Sequence, residues 1–154
     1  MNRLFFDNLD LSILNALAKN ARTPYLEIAR EYGVSGAAVH QRVQRLMANK
    51  VITGSRCLID PTAVGFNVVA YLGISAMPGT DIETLADGLR EIPEITECHI
   101  VTGRYDIIAK VNARDNRSML EIIRDRMRPL SIATTETMVS FREVFVRSVP
   151  ISND

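Results

Sequence analysis

A glycine, a cation, a phenol and a carboxylate stand at consecutive positions in the segment VTGRYDI (101–107), which interrupts an otherwise apolar run. Gly103 can adopt a positive φ angle, and the backbone N–H groups of such a turn can bind a carboxylate. The side chain of Asp106 can bind an ammonium group. The segment is therefore either a simple turn or a binding site for a ligand that carries both charges.

No catalytic pattern accompanies this segment. Neither histidine lies at a diagnostic spacing from a nucleophile or a carboxylate, and the sequence contains no GxxxxGK[ST] phosphate loop and no HExxH motif. Cys57 and Cys98 lie far apart, so we expect neither a metal site nor a disulfide, but two small, reduced, half-buried side chains. The sequence predicts neither an enzyme nor a protein with a cofactor.

The composition is that of a globular protein with one ordinary domain or two small ones: of 154 residues, 47% are apolar and 23% charged. No apolar run approaches the roughly 20 residues of a membrane-spanning helix, and the first residues lack the apolar core of a signal peptide, which predicts a cytoplasmic protein. The net charge is zero. Residues 1–60 nevertheless carry eight Lys or Arg against five Asp or Glu, so a mildly basic third precedes a mildly acidic remainder.

Residues 1–60 predict three helices. The first has apolar residues at helical spacing, acids at its start and an end near Asn20. Thr23 and Pro24 are typical of an N-cap and of the first helical position, and so predict the start of a second helix that ends at Gly33.

The third predicted helix follows at once, with Ser35 as its N-cap. Its buried stripe consists of Val39, Val43, Leu46 and Met47. Two helices joined by a short glycine turn form a helix-turn-helix pattern, although an ordinary αα-hairpin has the same elements. Residues 51–60, VITGSRCLID, then alternate as a strand would, and the span from Pro61 to Gly65 is expected to be a hinge between domains.

From residue 66 onward the sequence predicts strand, helix, strand, strand, helix and strand. Asp81 precedes the first of these helices, Asn116 is the expected cap of the second, and the last strand is expected over 134–148. The βαββαβ order is that of the ferredoxin-like fold, an antiparallel sheet with both helices on one face. Because both faces of the predicted sheet carry apolar residues, the bare face implies a partner, most simply a second copy. The fold class is α+β.

Several phrases occur in the order and spacing of one known family. They are DNLDLSILNAL, NARTPYLEIA, GVS followed by VHQRV, VITGSR, TGRYDI and TTET. Over residues 4–148 the chain therefore resembles the Lrp/AsnC (leucine- and asparagine-responsive) transcriptional regulators, most of all the asparagine-responsive branch. The resemblance implies a winged helix-turn-helix DNA-binding domain (1–60) and a hinge to about residue 65. It also implies a ferredoxin-like domain (66–154) that binds a small effector, usually an amino acid, and dimers that assemble into octamers or similar rings.

The resemblance places the exposed face of the third helix in the major groove of DNA. Glutamine can bond adenine and arginine guanine, while alanines allow close approach and can touch a thymine methyl group. Arg42 suits a phosphate contact, and His40 either a phosphate contact or packing. The predicted DNA-binding residues are Ser35, Ala37, Ala38, His40, Gln41, Arg42, Gln44 and Arg45. A dimer should then bind a palindromic operator whose half-sites lie about 10 base pairs, or a multiple of that, apart.

In this family the loop that matches 101–107 lines an effector pocket between neighbouring dimers, and threonines of the last strand complete the pocket from another subunit. Thr135 and Thr137 match those threonines and point to the same face of the strand. Arg104 either selects a polar effector side chain or faces solvent, and Tyr105 is expected in the core or the pocket wall rather than in a hydrogen bond. The predicted effector-binding residues are Thr102, Gly103, Arg104, Tyr105, Asp106, Thr135 and Thr137.

Three other classes of protein fit parts of the pattern. The first is an enzyme or other regulatory module of amino-acid metabolism, but the catalytic motifs are missing. The second is an RNA-recognition module, which needs aromatic residues that IVTGRYDII lacks. The third is a ring-forming amino-acid sensor that acts without DNA, and the N-terminal helices argue against it.

Overall fold

The computed structural model describes residues 5–151. They form two compact units, one of residues 5–57 and 145–151 and the other of residues 58–144. Each unit has its own hydrophobic core. The first residues, on which the expected absence of a signal peptide depends, and the outer ends of the two predicted domains lie outside the described residues.

The first unit contains the three predicted helices, α1 (Asn8–Lys19), α2 (Tyr25–Glu31) and α3 (Gly36–Ala48). The Ser35 side chain accepts a hydrogen bond from the backbone N–H of Ala38 at 3.1 Å, which confirms it as the N-cap of α3. The predicted cap of α2 is wrong by one position. The Thr23 hydroxyl donates to the carbonyl of Asn20, and Pro24 is the residue that precedes the helix.

The core of the first unit lies where the three helices meet. Its fully buried members are Ile13, Ile28, Ala29, Val39, Val43 and Leu46. Met47, which the sequence placed in the buried stripe of α3, is 44% exposed. It follows Leu46 by 100° around the helix axis, and Leu46 already faces the core, so the stripe is narrower than predicted.

Residues 51–60 do not form the predicted strand, and within the described part of the chain the helix-turn-helix has no β-wing. A strand requires a hydrogen-bonded neighbour, and no other described segment of this chain supplies one here. Leu58 and Ile59 remain 89% and 65% exposed. A short 3-10 turn, Thr62–Val64, follows, and Gly65 ends it at a φ angle of 87°.

The second unit is a four-stranded antiparallel sheet with two helices. Its elements are β1 (Val68–Ala76), α4 (Ile82–Arg90), β2 (Ile95–Ile100), β3 (Ile107–Ala113), α5 (Asn116–Glu121) and β4 (Ile132–Ser140). The strand order β2-β3-β1-β4 is that of the predicted ferredoxin-like fold. A π-helical turn, Ile122–Arg126, continues α5.

Two boundaries of this unit differ from the predicted ones. The cap of α5 is Asp115, whose carboxylate accepts from the backbone N–H of Ser118 at 2.7 Å, and Asn116 is the first residue of the helix. The last strand ends at Ser140, although it was expected to reach residue 148. Past Ser140 the chain pairs with no described strand, and its apolar side chains are exposed: Phe141, Val144, Phe145, Val146 and Val149.

The two faces of the sheet differ sharply. Ala70, Leu72 and Ile74 of β1 are fully buried beneath residues of both helices, among them Leu89 and Met119. The alternate residues of β1 belong to the open face, where Tyr71 is 37% exposed. Both helices therefore cover one face, as predicted, and self-association through the other stays a prediction.

Both cysteines are exposed, not half-buried as expected. Cys57 lies in the irregular segment after α3, and Cys98 lies on β2, which is an edge strand of the sheet.

Candidate functional site

The outer face of α3 carries most of the residues predicted to bind DNA. Ser35, Ala37, His40, Gln41, Gln44 and Arg45 are exposed, and Ala38 and Arg42 are half-buried. The His40 ring lies 6.0 Å from the ring of Tyr25, so this side chain also packs against α2. The face thus presents small residues near its start and two glutamines, one turn apart, near its middle.

The two arginines of this face are bound to a buried acid. Arg42 Nη1 donates to Asp10 Oδ1 at 3.1 Å, and Arg45 Nη2 donates to Asp10 Oδ2. Arg42 also forms an ion pair with Asp7. The sequence placed Arg45 among the base-reading groups and Arg42 among the phosphate-binding ones. In the structure both guanidinium groups hold α3 against the start of α1.

Sequence reasoning treated Asp7 and Asp10 only as acids that favour the start of a helix. Both are more than that: they form a capping box, and Asp10 is fully buried. One signal in the sequence marks Asp10, because it precedes Ile13 and Leu14 by three and four positions and so lies on the apolar stripe of α1. An acid on such a stripe requires a cationic partner in the fold.

Acidification should weaken the contact between Asp7 and Arg42. The backbone N–H of Asp10 has the largest effect on the pKa of Asp7 and lowers it; burial opposes this, and the hydrogen bond and charge of Arg42 lower the pKa further, so that it lies below its ordinary value. A carboxylate with a lowered pKa stabilises the fold above its unfolded pKa, and this contribution is lost as the pH falls through the folded value. We expect Asp7→Asn to reduce the loss of thermal stability between about pH 5 and pH 3. Thermal unfolding of both proteins at each pH measures this, and equal acid sensitivity would contradict it.

The loop between β2 and β3 is a hairpin closed by backbone bonds. The N–H of Val101 donates to the carbonyl of Asp106 at 2.9 Å, and Gly103 has a φ angle of 122°, as its position in the turn predicted. Asp106 Oδ2 accepts from the backbone N–H of Ala76 at 2.9 Å. One carboxylate oxygen of Asp106 therefore has a structural role.

A glutamate that the sequence did not single out organises the rest of this loop. Glu136 accepts a hydrogen bond from the Tyr105 hydroxyl and pairs with Arg104 at 2.8 Å, which places Arg104 5.3 Å from the centre of the Tyr105 ring. The hydrogen bond to Glu136 raises the pKa of Tyr105. Tyr105 is thus a hydrogen-bonding residue, contrary to the expectation. Alternation along β4 indicates only that Glu136 lies on the face opposite to Thr135 and Thr137, while its position beside Gly73 comes from the sheet register.

The two threonines predicted for the same pocket lie on the opposite face of the sheet. Thr135 pairs with Ile74 and Thr137 with Leu72, and directly opposed residues of an antiparallel pair share a face. Both threonines therefore belong to the helix-covered side, while Glu136 and the Tyr105 ring are on the open side. One chain does not bring the predicted effector-binding residues together, and Thr102 is simply exposed.

A groove of about 420 Å³ borders Thr135 on the helix side. Its lining combines apolar side chains with two arginines and two threonines: Met77, Ile123, Arg124, Met127, Arg128, Leu130, Ile132, Ala133, Thr134 and Thr135. Thr135 is the predicted effector residue in this lining.

Two family models match the chain, an AsnC-type helix-turn-helix domain over residues 6–47 and an Lrp/AsnC ligand binding domain over residues 69–150. Regulatory protein AsnC of Escherichia coli K12 is 32% identical over 150 residues, 97% of this chain and 99% of that protein. The HTH-type transcriptional regulator Ptr1 of Methanocaldococcus jannaschii is 40% identical over 124 residues, 80% of this chain and 83% of that one. The solved structure of E. coli AsnC superimposes with a TM-score of 0.87 and covers 95% of this chain and 99% of that one.

A helix-turn-helix unit joined to a ligand-binding α+β unit defines a DNA-binding transcriptional regulator. The chain belongs to the Lrp/AsnC family of such regulators. The resemblance seen in the sequence is confirmed, and so is the α+β fold class with helix-turn-helix helices followed by a βαββαβ sheet. No helix within residues 5–151 is long and apolar enough to cross a membrane.

Proposed function

We propose that α3 reads an operator sequence and that the second unit adjusts DNA affinity by binding a small effector, an amino acid. The observation that carries the first part is the outer face of α3, where Gln41 and Gln44 are exposed while both arginines are bound to Asp10. Amide side chains read adenine through paired hydrogen bonds, and the neighbouring alanines leave room for close approach to the groove.

Self-association belongs to the same proposal. One helix of this length reads only half of an operator, so two copies should bind half-sites about one helical turn of DNA apart. The exposed apolar residues of the open sheet face and of the segment after Ser140 support contact between copies. Assembly of dimers into octamers or similar rings is the larger arrangement that we propose for this family member.

The effector part of the proposal rests on the hairpin. Gly103 lies at the turn, Arg104 is a cation near the surface, and Asp106 has one carboxylate oxygen beyond the one that Ala76 N–H occupies. An amino acid offers a carboxylate and an ammonium group to such a set. Because Thr135 and Thr137 are on the other face of this chain, a complete pocket would take them from a second copy.

Replacing Gln44 with alanine should weaken specific DNA binding by about 1–3 kcal/mol, because one paired hydrogen bond to a base is lost. The duplex is obtained by in vitro selection with the wild-type protein from a random library, and affinity is measured by titration in a gel-shift assay. Lys19→Ala is the control, because Lys19 is exposed on α1 and its replacement removes a full charge from the same unit. An unchanged affinity of Gln44→Ala, or an equal loss in the control, would contradict the assignment of Gln44.

The effector is tested by isothermal titration of the full chain with each of the twenty amino acids, followed by gel-shift titration with any that binds. We expect one or a few to bind and to change DNA affinity by a factor of about 5 to 150, the usual range of allosteric coupling. Light scattering with and without the same amino acid shows whether the assembly changes. If none binds and none alters DNA affinity, the amino-acid effector is excluded.

A further inference from the structure

Every charged side chain of α3, the helix that we propose to read the DNA, is paired with a carboxylate. Arg42 and Arg45 are the only charged residues of α3, and both bind carboxylates that precede or begin α1. Two arginines and the two acids Asp7 and Asp10 form a group whose charges sum to zero. We call these four residues the acid–arginine cluster.

Asp10 is the centre of this cluster. Its side chain is 1% exposed, and both of its oxygens are engaged: Oδ1 by Arg42, and Oδ2 by Arg45 and by the backbone N–H of Asp7 at 3.2 Å. A buried carboxylate is tolerated only when charged or polar partners satisfy it in this way. The guanidinium group is a rigid, planar fork, so fixing one of its N–H groups fixes the direction of the others.

The arginines are not buried with their partner. Their side chains are 32% exposed for Arg42 and 49% exposed for Arg45. Each guanidinium has five N–H donors, of which Asp10 and Asp7 use only some. Around the helix axis Arg45 lies on the same face as Gln41 and Gln44, and Arg42 lies at the edge of that face.

We propose that Asp10 is a positioning residue for DNA recognition, which acts by holding Arg42 and Arg45 so that their remaining N–H groups meet the DNA in one fixed arrangement. This inference rests on the proposed use of α3 in the groove. Asp10 also cancels charge that would otherwise bind any phosphate. Sequence discrimination is thereby increased, since attraction to phosphates does not depend on sequence.

The proposal predicts opposite effects on two kinds of DNA. Asp10→Asn keeps the size of the side chain but releases the arginines, which become mobile and whose positive charges Asp10 no longer balances. Specific binding should fall because the fixed arrangement is lost, while binding to a scrambled duplex should be retained or strengthened. A role in folding alone would instead weaken binding to both duplexes by the same factor.

The experiment uses the full chain, a duplex selected by the wild-type protein from a random library, and a scrambled duplex of the same length. Dissociation constants for both are measured at several salt concentrations. For Asp10→Asn we expect the ratio of specific to non-specific affinity to fall about tenfold or more. The slope of log affinity against log salt on the scrambled duplex should steepen by up to about 0.9 for each additional phosphate bound.

Two further variants keep the test decisive. Asp7→Asn removes the charge that holds Arg42 and keeps an N-cap residue of equal quality, so it should change the ratio in the same direction by a smaller factor. Glu31→Gln removes one charge from an exposed position on α2 and should leave the ratio unchanged.

A parallel loss of both affinities in folded Asp10→Asn, or an unchanged ratio, would overturn the proposal. Circular dichroism shows whether Asp10→Asn is folded. If it is not, Asp7→Asn decides the question, and an unchanged ratio in that variant overturns the role of the cluster. Failure of the wild-type protein to select any duplex is a different result, because it would count against the proposed use of α3 itself.

Discussion

Replacing both Arg42 and Arg45 with alanine is expected to lower the free energy of unfolding of the helical unit by about 3–5 kcal/mol. Asp10 is fully buried and takes its cationic partners only from these two residues among those described. Without them the carboxylate keeps its desolvation cost and loses the attraction that offsets it. Removing only one arginine should cost less, because the other still reaches Asp10.

Urea unfolding of the full chain, followed by far-UV circular dichroism, measures this effect. Lys19→Ala/Arg30→Ala is the matched control, since it removes two exposed cations from the same unit. Adding Asp10→Asn to the double variant should restore part of the lost stability, because the unpaired charge is then gone. A double variant as stable as its control would show that Asp10 does not need the arginines.

Local patterns predicted the elements of this fold well. Ser35 caps α3 because its own hydroxyl reaches an amide three residues away, and Gly103 has a positive φ angle because the hairpin requires it. The four strands and the helix-covered face follow from alternation along each strand. The two strand segments that do not form depend on something outside their own residues: among the described residues, no strand lies beside 51–60 or beside the chain past Ser140.

The candidate sites could be predicted only in part, for the same physical reason. A helical wheel shows which residues of α3 face outward, but not that Asp10 lies beside two of them, 32 and 35 positions away in sequence. The bond from Tyr105 to Glu136 spans 31 positions. It depends on the sheet register, which places Glu136 opposite Gly73. Residue types therefore indicated which surfaces carry the candidate sites, while the hydrogen-bond and ion-pair partners could be identified only from the fold.

A methyl group at position 73 is expected to cost about 1–3 kcal/mol of stability and to disorganise the hairpin. Gly73 lies in the middle of β1, and a Cβ atom there would be 2.6 Å from the ring of Tyr105. The Tyr105 ring must therefore move away from β1, and the hydrogen bond from its hydroxyl to Glu136 is lost. Because glycine has no side chain, position 73 leaves the space that the Tyr105 ring occupies.

Two measurements on Gly73→Ala test this. Urea unfolding gives the cost, with Ser75→Ala as the control on the same face of the same strand. Ultraviolet titration of the tyrosines should show that the raised pKa of Tyr105 falls when its hydroxyl no longer donates a hydrogen bond to Glu136. The double variant Gly73→Ala/Tyr105→Ala has no steric conflict. Its loss of unfolding free energy should therefore be smaller than the sum of the losses in the two single variants. Additive costs with an unchanged tyrosine titration would mean that the ring is not held against Gly73. If the hairpin does bind the effector, the amino acid that binds the wild-type protein should bind Gly73→Ala more weakly, because Arg104 and Glu136 lose the tyrosine that contacts both of them.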